Sequence, residues 1–497
     1  MAFRRFGAAA SILAMLSACG GGGGSGTGSV SGPFTSGPSP SPTPTTSPIP
    51  TASTGCSLRE RQDWVAAQMR EWYLFPETLP ANQDPSAYTT LDGYLDYLTA
   101  TARSQRRDRY FTYVTSIAAE NAYYASGETA GFGFRLGLDS NARRLFVTES
   151  FEGAPALNAG IDRGAEIVAI GTTAANLRTV SDIFGGGGSA ALNDALGPNT
   201  TGTTRLLRIR SLNGTTSDVS VTKTDFSLTP VSSRYGYKII DDGGKKVGYV
   251  NLRTFISTAD AGLRTAFAAF RTAGVTEVIV DLRYNGGGLV SVAETFGNLL
   301  GANRSTSEVF SYTTFRPEKS SNNSTSYFAP QPQSIAPTKI AFIGMGGTAS
   351  ASELVINSFI PYLGANVALV GTNTYGKPVG QIALDRPNCD DRLRVVAFAT
   401  QNRDRSASYF DGLASTVQRT CAAVDDISYP LGDARESSVA AALNFLGGRT
   451  CTPISASAAA SGTGTMTTAR RSTMSGETEL LTPDRPDTVQ REVPGAF

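Results

Sequence analysis

The spacing of apolar positions divides the chain into stretches of different period. Ser57-Leu58-Arg59-Glu60 has the form of a helix-opening capping box, and Trp64, Val65, Gln68, Met69 and Trp72 follow at helical spacing until Pro76. Tyr88 to Leu98 predicts a second helix, so residues 56–125 read as a small helical domain with an aromatic core. From about Gly127 the pattern shortens to strands and turns. It runs through Gly131-Phe132-Gly133-Phe134, then Leu145-Phe146-Val147, then the glycine-bounded stretch 153–161 and Ile167-Val168-Ala169-Ile170. Beyond about Val231 strand-like and helix-like runs alternate. Apolar runs at 247–250, 278–283, 339–345 and 367–370 predict strands, while Leu263, Ala266, Phe267 and Phe270 mark one face of a helix stopped by Gly274. A further helix opens around Ser350 and stops at Pro361. The expectation is a multi-domain α/β plus α+β chain: a helical N-terminal domain (56–125), a β-rich domain (126–230) and an α/β core (231–451). Open α/β sheets build their sites at strand ends, where this chain places Asn285-Gly286-Gly287-Gly288, the stretch 348–353 and the stretch 371–377.

The two ends read differently. Arg4 and Arg5 precede a largely apolar stretch of 11 residues from Phe6 to Leu16, too short to span a bilayer and typical of a secretory signal. Leu16-Ser17-Ala18-Cys19 resembles the bacterial lipobox, so residues 1–18 are expected to be a signal peptide and Cys19 the lipidated N-terminus. The bland alternative is an ordinary signal with an incidental cysteine. Gly20 does not resemble an inner-membrane retention signal, which points to an exported, periplasm-facing outer-membrane lipoprotein held to the membrane only through its lipid. Between Gly20 and Gly55 all but four of 36 residues are Gly, Ser, Thr or Pro, a composition that cannot bury a core, so 19–55 reads as a flexible tether. Residues 452–497 are expected to be disordered.

Composition then narrows the chemistry. Among 497 residues there are 43 Lys+Arg, 42 Asp+Glu and no histidine. Every Ser-His or Cys-His pair and every His-ligated metal site is excluded, and the near-neutral balance offers no field for nucleic acid. No cofactor and no metal are implied. With Cys19 assigned to lipid, Cys56, Cys389, Cys421 and Cys451 form an even set that suggests disulfides in one of three connectivities. Cys389–Cys421 and Cys56–Cys451 are the expected pairs. A four-Cys zinc site lacks a CxxC knuckle.

Two tempting motifs lose to simpler readings. Gly371 to Lys377 spells GxxxxGK, but Pro378 stands where a nucleotide-binding loop needs Ser or Thr, and it disfavours a helix start at Lys377. Ser220-Val221-Thr222-Lys223 fits SxxK, yet Val219 and Val221 alternate with an exposed Lys223 in strand fashion. A serine enzyme without histidine remains. A neutral lysine amine can take the serine proton, provided burial lowers its pKa by about 2–4 units from about 10.4. Lys377, flanked by Tyr375, Gly376, Pro378 and Val379, suits such burial. Ser350 lies where a glycine-rich strand end meets a helix start, so the Ala351 N–H could face an oxyanion, with a second N–H from the 286–288 turn.

Here the order DLRYNGGG, TASASE and TYGKPVGQ resembles the tail-specific, or carboxyl-terminal processing, serine proteases over about residues 56–381 at least. The resemblance implies an α/β core with ClpP/crotonase-like layers, preceded by a helical cap and a circularly permuted PDZ-like domain. It makes Ser350 the nucleophile, Lys377 the base and Gln381 the group that orients the amine, with an oxyanion hole from the N–H groups of Gly287 and Ala351. Gly131, Phe132, Gly133 and Phe134 become the carboxylate-binding loop of the PDZ-like domain, where successive N–H groups hold a chain end and a peptide adds as a strand. Departures are Ala165 where Asp is usual, Thr348 where Ser is usual and Pro378 where Gly is usual. Ser352 is the competing nucleophile, Glu353 is expected to be structural, and Asp281 is expected to cap the glycine turn. The implied function is a serine endopeptidase that cuts C-terminal regions of exported proteins captured by their free tails. Rival readings are a non-catalytic tail-binding lipoprotein and an apolar-ligand carrier on the same scaffold. Nothing in the sequence speaks to oligomeric state or substrate identity.

Overall fold

The structure, a computed structural model, describes residues 55–455 and 479–497. The signal peptide, Cys19 and all but the last residue of the tether lie outside the described residues, as do 456–478. Among the described residues no helix is long and apolar enough to cross a membrane.

The core is a six-stranded sheet. In spatial order its strands are Tyr237–Asp242, Lys245–Asn251, Glu277–Asp281, Lys339–Gly344, Val367–Gly371 and Arg419–Ala422. The first two pair antiparallel and all others parallel. Its inner strands are covered on both faces, which is why 278–280, 340–343 and 367–370 read as continuous apolar runs rather than alternating ones. One face packs Ala259–Thr272, Val290–Leu299 and Ala351–Leu363 into a core containing Leu263, Phe267, Phe270, Phe296 and Leu354. The other receives Ser437–Leu446 through Val439, Leu443 and Leu446.

A second sheet joins the long strand Asp391–Gln401 to Tyr113–Ser116, Val309–Phe315 and Val379–Arg386. The N-terminal helices Leu58–Trp72 and Leu91–Leu98 lie on it. Ser57 and Glu60 form the expected capping box, and Val65, Met69, Tyr94 and Leu95 share one apolar cluster with Leu393, Val395 and Val396. These helices therefore complete the core of the sheet that carries Gln381 and do not form a separate body.

Residues 128–227 form the β-rich part. Phe134–Asp139, Arg144–Ser150, Glu166–Gly171, Thr204–Arg210 and Thr216–Thr222 make an antiparallel sheet, with the kinked helix Val180–Leu196 in its apolar cluster. Lys223, expected to be exposed, is fully buried beyond the last of these strands. It donates to Gly197 O and Asn199 Oδ1 at 2.8 Å each, and its Nζ lies 4.7 Å from the Phe132 ring centroid. Burial lowers its pKa to about 8.

Two expectations fail. The disulfides are Cys56–Cys389, which ties the start of the first helix to the turn after the strand that carries Gln381, and Cys421–Cys451. Neither expected pair forms, because the strand order brings different cysteines together. Residues 479–497, expected to be disordered, are ordered. Glu479-Leu480 pairs with Gly137 and Leu138 at the edge of the β-rich sheet, Thr488–Glu492 is a short helix, and Leu481, Val493, Ala496 and Phe497 are buried. These apolar residues are few, but each reaches a cavity made by distant chain, which composition does not reveal.

Candidate functional site

The three strand-end stretches meet at the carboxyl ends of three neighbouring interior strands of the central sheet. Strand Lys339–Gly344 delivers Met345 to Ser350, and the Thr348 hydroxyl bonds Leu282 O and receives the Met345 N–H at 2.7 and 2.9 Å. Thr in place of Ser thus keeps the hydroxyl and its role of tying two strand ends together. Ser350 is half-buried at the helix N-terminus, with φ of 55° and ψ of −114°. A non-glycine residue in this region costs about 1–3 kcal/mol and is held by its surroundings. Those surroundings include Asn285, whose carbonyl accepts from Ala349 N and Ser352 Oγ at 3.0 Å each. Ser352 is fully buried and engaged there, which separates it from Ser350 as a nucleophile.

Glu353 organises the rest. Its fully buried carboxylate accepts four hydrogen bonds: Ser350 N at 3.1 Å, Lys377 N at 2.7 Å, Gly376 N at 2.7 Å and Thr374 Oγ1 at 2.6 Å. One side chain therefore clamps the backbones of the expected nucleophile and base. Burial pushes its carboxyl above the usual range, and the four donors pull against that shift. The four bonds occupy both carboxylate oxygens with groups of the chain itself.

Lys377 Nζ donates to Gln381 Oε1 at 2.7 Å, and Gln381 Nε2 donates to Phe111 O. Burial lowers the Lys377 pKa, while the nearby Glu492 carboxylate opposes that shift. Strand Val379–Arg386 follows Pro378 directly, so no helix starts at the GK pair and the nucleotide-loop reading falls. Arg109, which sequence reasoning missed, is buried under this loop and donates to the carbonyls of Tyr375, Gly376 and Phe410.

Gly287 has φ of +124°, and a Cβ there would lie 2.7 Å from Ser350 Cβ and 3.1 Å from Ala351 N. The turn, Ser350 and the first N–H of the helix are thus in contact. Ala351 N sits at a helix start, where N–H groups lack intrahelical partners. The Gly287 N–H donates to Asn285 Oδ1 at 2.9 Å, so a substrate oxygen must compete for it. Asp281, expected to cap this turn, instead accepts from Arg283 and the Tyr249 hydroxyl, and Arg283 also pairs with Glu436 and Asp425. The charged network fixes the strand end, and Asn285 does the capping. Among the described residues no group of three or more His, Cys, Asp or Glu side chains is placed to hold a metal.

Gly131, Phe132, Gly133 and Phe134 lie in the β-rich part, apart from the Ser350 cluster, and are occupied by the chain itself. Phe497 O accepts from Gly133 N and Phe134 N at 2.9 and 3.4 Å. This contact was missed, although Leu480, Leu481, Val493 and Phe497 stand out as apolar in a polar stretch.

Residues 246–418 match peptidase family S41, and residues 60–113 match the peptidase S41 N-terminal domain. The chain thus carries peptidase S41 family domains. Carboxyl-terminal-processing peptidase 3 of Arabidopsis thaliana chloroplasts is 26% identical to this S41 chain over 326 residues, covering 63% of it and 58% of the relative. A carboxyl-terminal-processing protease of Picosynechococcus is 27% identical over 268 residues, covering 53% and 58%. The S41 chain thus spans under two thirds of the length of these curated relatives. A solved structure of a candidate S41 protease from Bacteroides fragilis superposes with a TM-score of 0.60 at 23% identity, over 78% of this chain and 97% of the other, which shows the shared fold.

Proposed function

We propose that this S41 chain is a serine endopeptidase that cuts polypeptides in their C-terminal regions by a Ser-Lys mechanism. The observation that carries the reading is the Glu353 carboxylate, which holds the backbones of Ser350 and Lys377 at once while Lys377 Nζ is directed to Gln381. The neutral Lys377 amine takes the Ser350 hydroxyl proton as Oγ bonds the substrate carbonyl carbon. The carbonyl electrons move onto oxygen, held by the N–H groups of Ala351 and Gly287. Collapse of this adduct breaks the C–N bond, and the lysine ammonium returns its proton to the leaving amine. Water then enters and gives a proton to Lys377 as its oxygen bonds the acyl carbon; the C–O bond to Ser350 breaks, and the lysine ammonium returns that proton to Ser350 Oγ.

The β-rich part acts in this reading as a PDZ-type domain, with Gly131 to Phe134 as the loop that takes a substrate's end, and the core has ClpP/crotonase-like layers. The chain is exported and lipidated at Cys19, facing the periplasm. A Cys19→Ser variant that still incorporates labelled fatty acid at its N-terminus sinks the lipidation.

The test of the peptidase is digestion of an unstructured protein by the full chain and by Ser350→Ala, Ser352→Ala and Lys377→Ala. Loss with Ser350→Ala and Lys377→Ala, and retention with Ser352→Ala, supports the mechanism. Normal cleavage by Lys377→Ala ends it.

A further inference from the structure

The outer edge of strand Phe134–Asp139 and the glycine turn beside Ser350 are both covered by one segment of the chain. Gly495 O accepts from Leu136 N at 2.8 Å, Phe497 N donates to Phe134 O at 3.0 Å, and Ala496 bridges antiparallel to Arg135. Upstream, Leu481 N donates to Leu136 O at 2.9 Å, and Glu479-Leu480 continues along Gly137 and Leu138. The edge of strand Phe134–Asp139 is therefore taken from end to end, and this edge is where an added peptide would pair. The Phe497 ring, 5% exposed, belongs to the same apolar cluster as Phe132, Phe134, Leu192 and Leu196.

Between these strand-like ends the segment crosses the glycine turn. Glu492 O accepts from Gly286 N at 2.9 Å, and a Cβ on Gly286 would lie 2.1 Å from Arg491 O. Arg491 donates to Tyr110 O, and its guanidinium lies 3.8 Å from the Tyr113 ring centroid. The Glu492 carboxylate accepts from the Tyr124 hydroxyl at 3.0 Å, while its Oε2 is buried with no hydrogen-bond partner. A backbone carbonyl thus rests on the glycine turn next to Ser350, five residues before an aromatic side chain seated in that apolar cluster.

We propose that residues 479–497 are a resident ligand of this protein. The segment occupies the edge of strand Phe134–Asp139 with Gly495-Ala496-Phe497, covers the glycine turn with Arg491 and Glu492, and yields only to a polypeptide with an aromatic side chain after two small residues. The blocking part rests on the peptidase reading of Ser350, and the strand-edge part does not. A tethered segment presents itself at roughly millimolar effective concentration. Against a free peptide of about 100 μM intrinsic Kd, that competition weakens apparent binding about tenfold.

The experiment uses a fluorescent peptide with the sequence of residues 488–497 and full-length protein carrying Ser350→Ala, so that nothing is cut. Adding Phe497→Asp, or Gly495→Val in a second variant, is expected to tighten peptide binding about tenfold. Gly495 has φ of +83°, and its Cβ would sit 2.9 Å from Leu136 O, so valine there dislodges the segment by a different route. In active protein the same two substitutions are expected to speed digestion of an unstructured protein severalfold. A measurement on the unsubstituted chain covers the case that both variants unfold: the unlabelled peptide at millimolar concentration is expected to expose the bond after Arg491 to added trypsin. Unchanged peptide binding in folded variants, or no gain in cutting after Arg491, overturns the proposal. Tighter binding by variants that digest nothing keeps the resident ligand and removes the peptidase. Equal digestion by all proteins with unchanged binding does the reverse.

Discussion

Replacing Glu353 with glutamine tests whether one carboxylate aligns the site. Four donors converge on it, two per oxygen: Thr374 Oγ1 and Gly376 N on Oε1, and Ser350 N and Lys377 N on Oε2. The amide oxygen of glutamine can keep two of them, and its NH2 then faces the other two. Thr374 can adapt, because its hydroxyl can turn to accept, so the favoured orientation keeps Ser350 N and Lys377 N and orphans Gly376 N. A buried unsatisfied N–H costs about 1–3 kcal/mol, and two retained bonds that lose their charge-assisted character cost about 0.5–1 kcal/mol each. The sum, about 2–5 kcal/mol, falls on the loop that carries Lys377. If about half of it appears as misplacement of the base, kcat drops roughly 5–70-fold, since each 1.36 kcal/mol is tenfold. KM changes little, because Glu353 does not face substrate. The assay is steady-state digestion of a fluorogenic unstructured protein across pH, beside chemical denaturation. A positioning role leaves the alkaline rise of activity in place and lowers both the plateau and the denaturation midpoint. Wild-type kcat with wild-type stability refutes the argument, and disappearance of a pH limb makes Glu353 a proton donor instead.

Further outcomes follow from the same geometry. Lys377→Met is expected to abolish cleavage yet stabilise the fold near neutral pH. Burial lowers the folded-state pKa of Lys377, so the unfolded chain binds more protons and wild-type stability falls as pH drops from about 10.4 through the folded pKa. Denaturation midpoints that coincide at pH 7 count against that burial. Gly287→Ala is expected to cut kcat at least 100-fold, because its Cβ would lie 2.7 Å from Ser350 Cβ at φ +124°; a near-normal rate shows that the turn moves. Breaking Cys56–Cys389, with a sequence separation of 333, is expected to cost more than breaking Cys421–Cys451, with a separation of 30. The closed-loop argument gives about 5.8 against about 3.6 kcal/mol, read from denaturant midpoints of the paired Cys→Ser variants, and the reverse order removes the entropic account.

Much of the site was legible because its chemistry is local. The absence of histidine pointed to lysine as the candidate base, and glycine, serine and lysine stand at strand ends whose apolar runs are unmistakable. Capping at Ser57 and the bond from Ser350 N to Glu353 follow from interactions within a few residues or from helix-start chemistry. The readings that failed all depend on distance along the chain. Asp281 lost the glycine turn to Asn285 because its carboxylate pairs with Arg283, which Glu436 and Asp425 from distant parts of the chain hold in place. Lys223 is buried because residues 197 and 199 fold back to receive its amine.

The amino-acid order thus determined the class of chemistry, the secondary elements and the places where reactive groups could gather, since these depend on composition and short-range spacing. Tertiary structure alone decided which cysteines meet, which backbone groups a buried carboxylate collects and where residues 479–497 lie. Those outcomes depend on sheet order and on cavities assembled from segments hundreds of residues apart. A sparse set of apolar side chains finds its place only when such a cavity exists to receive it.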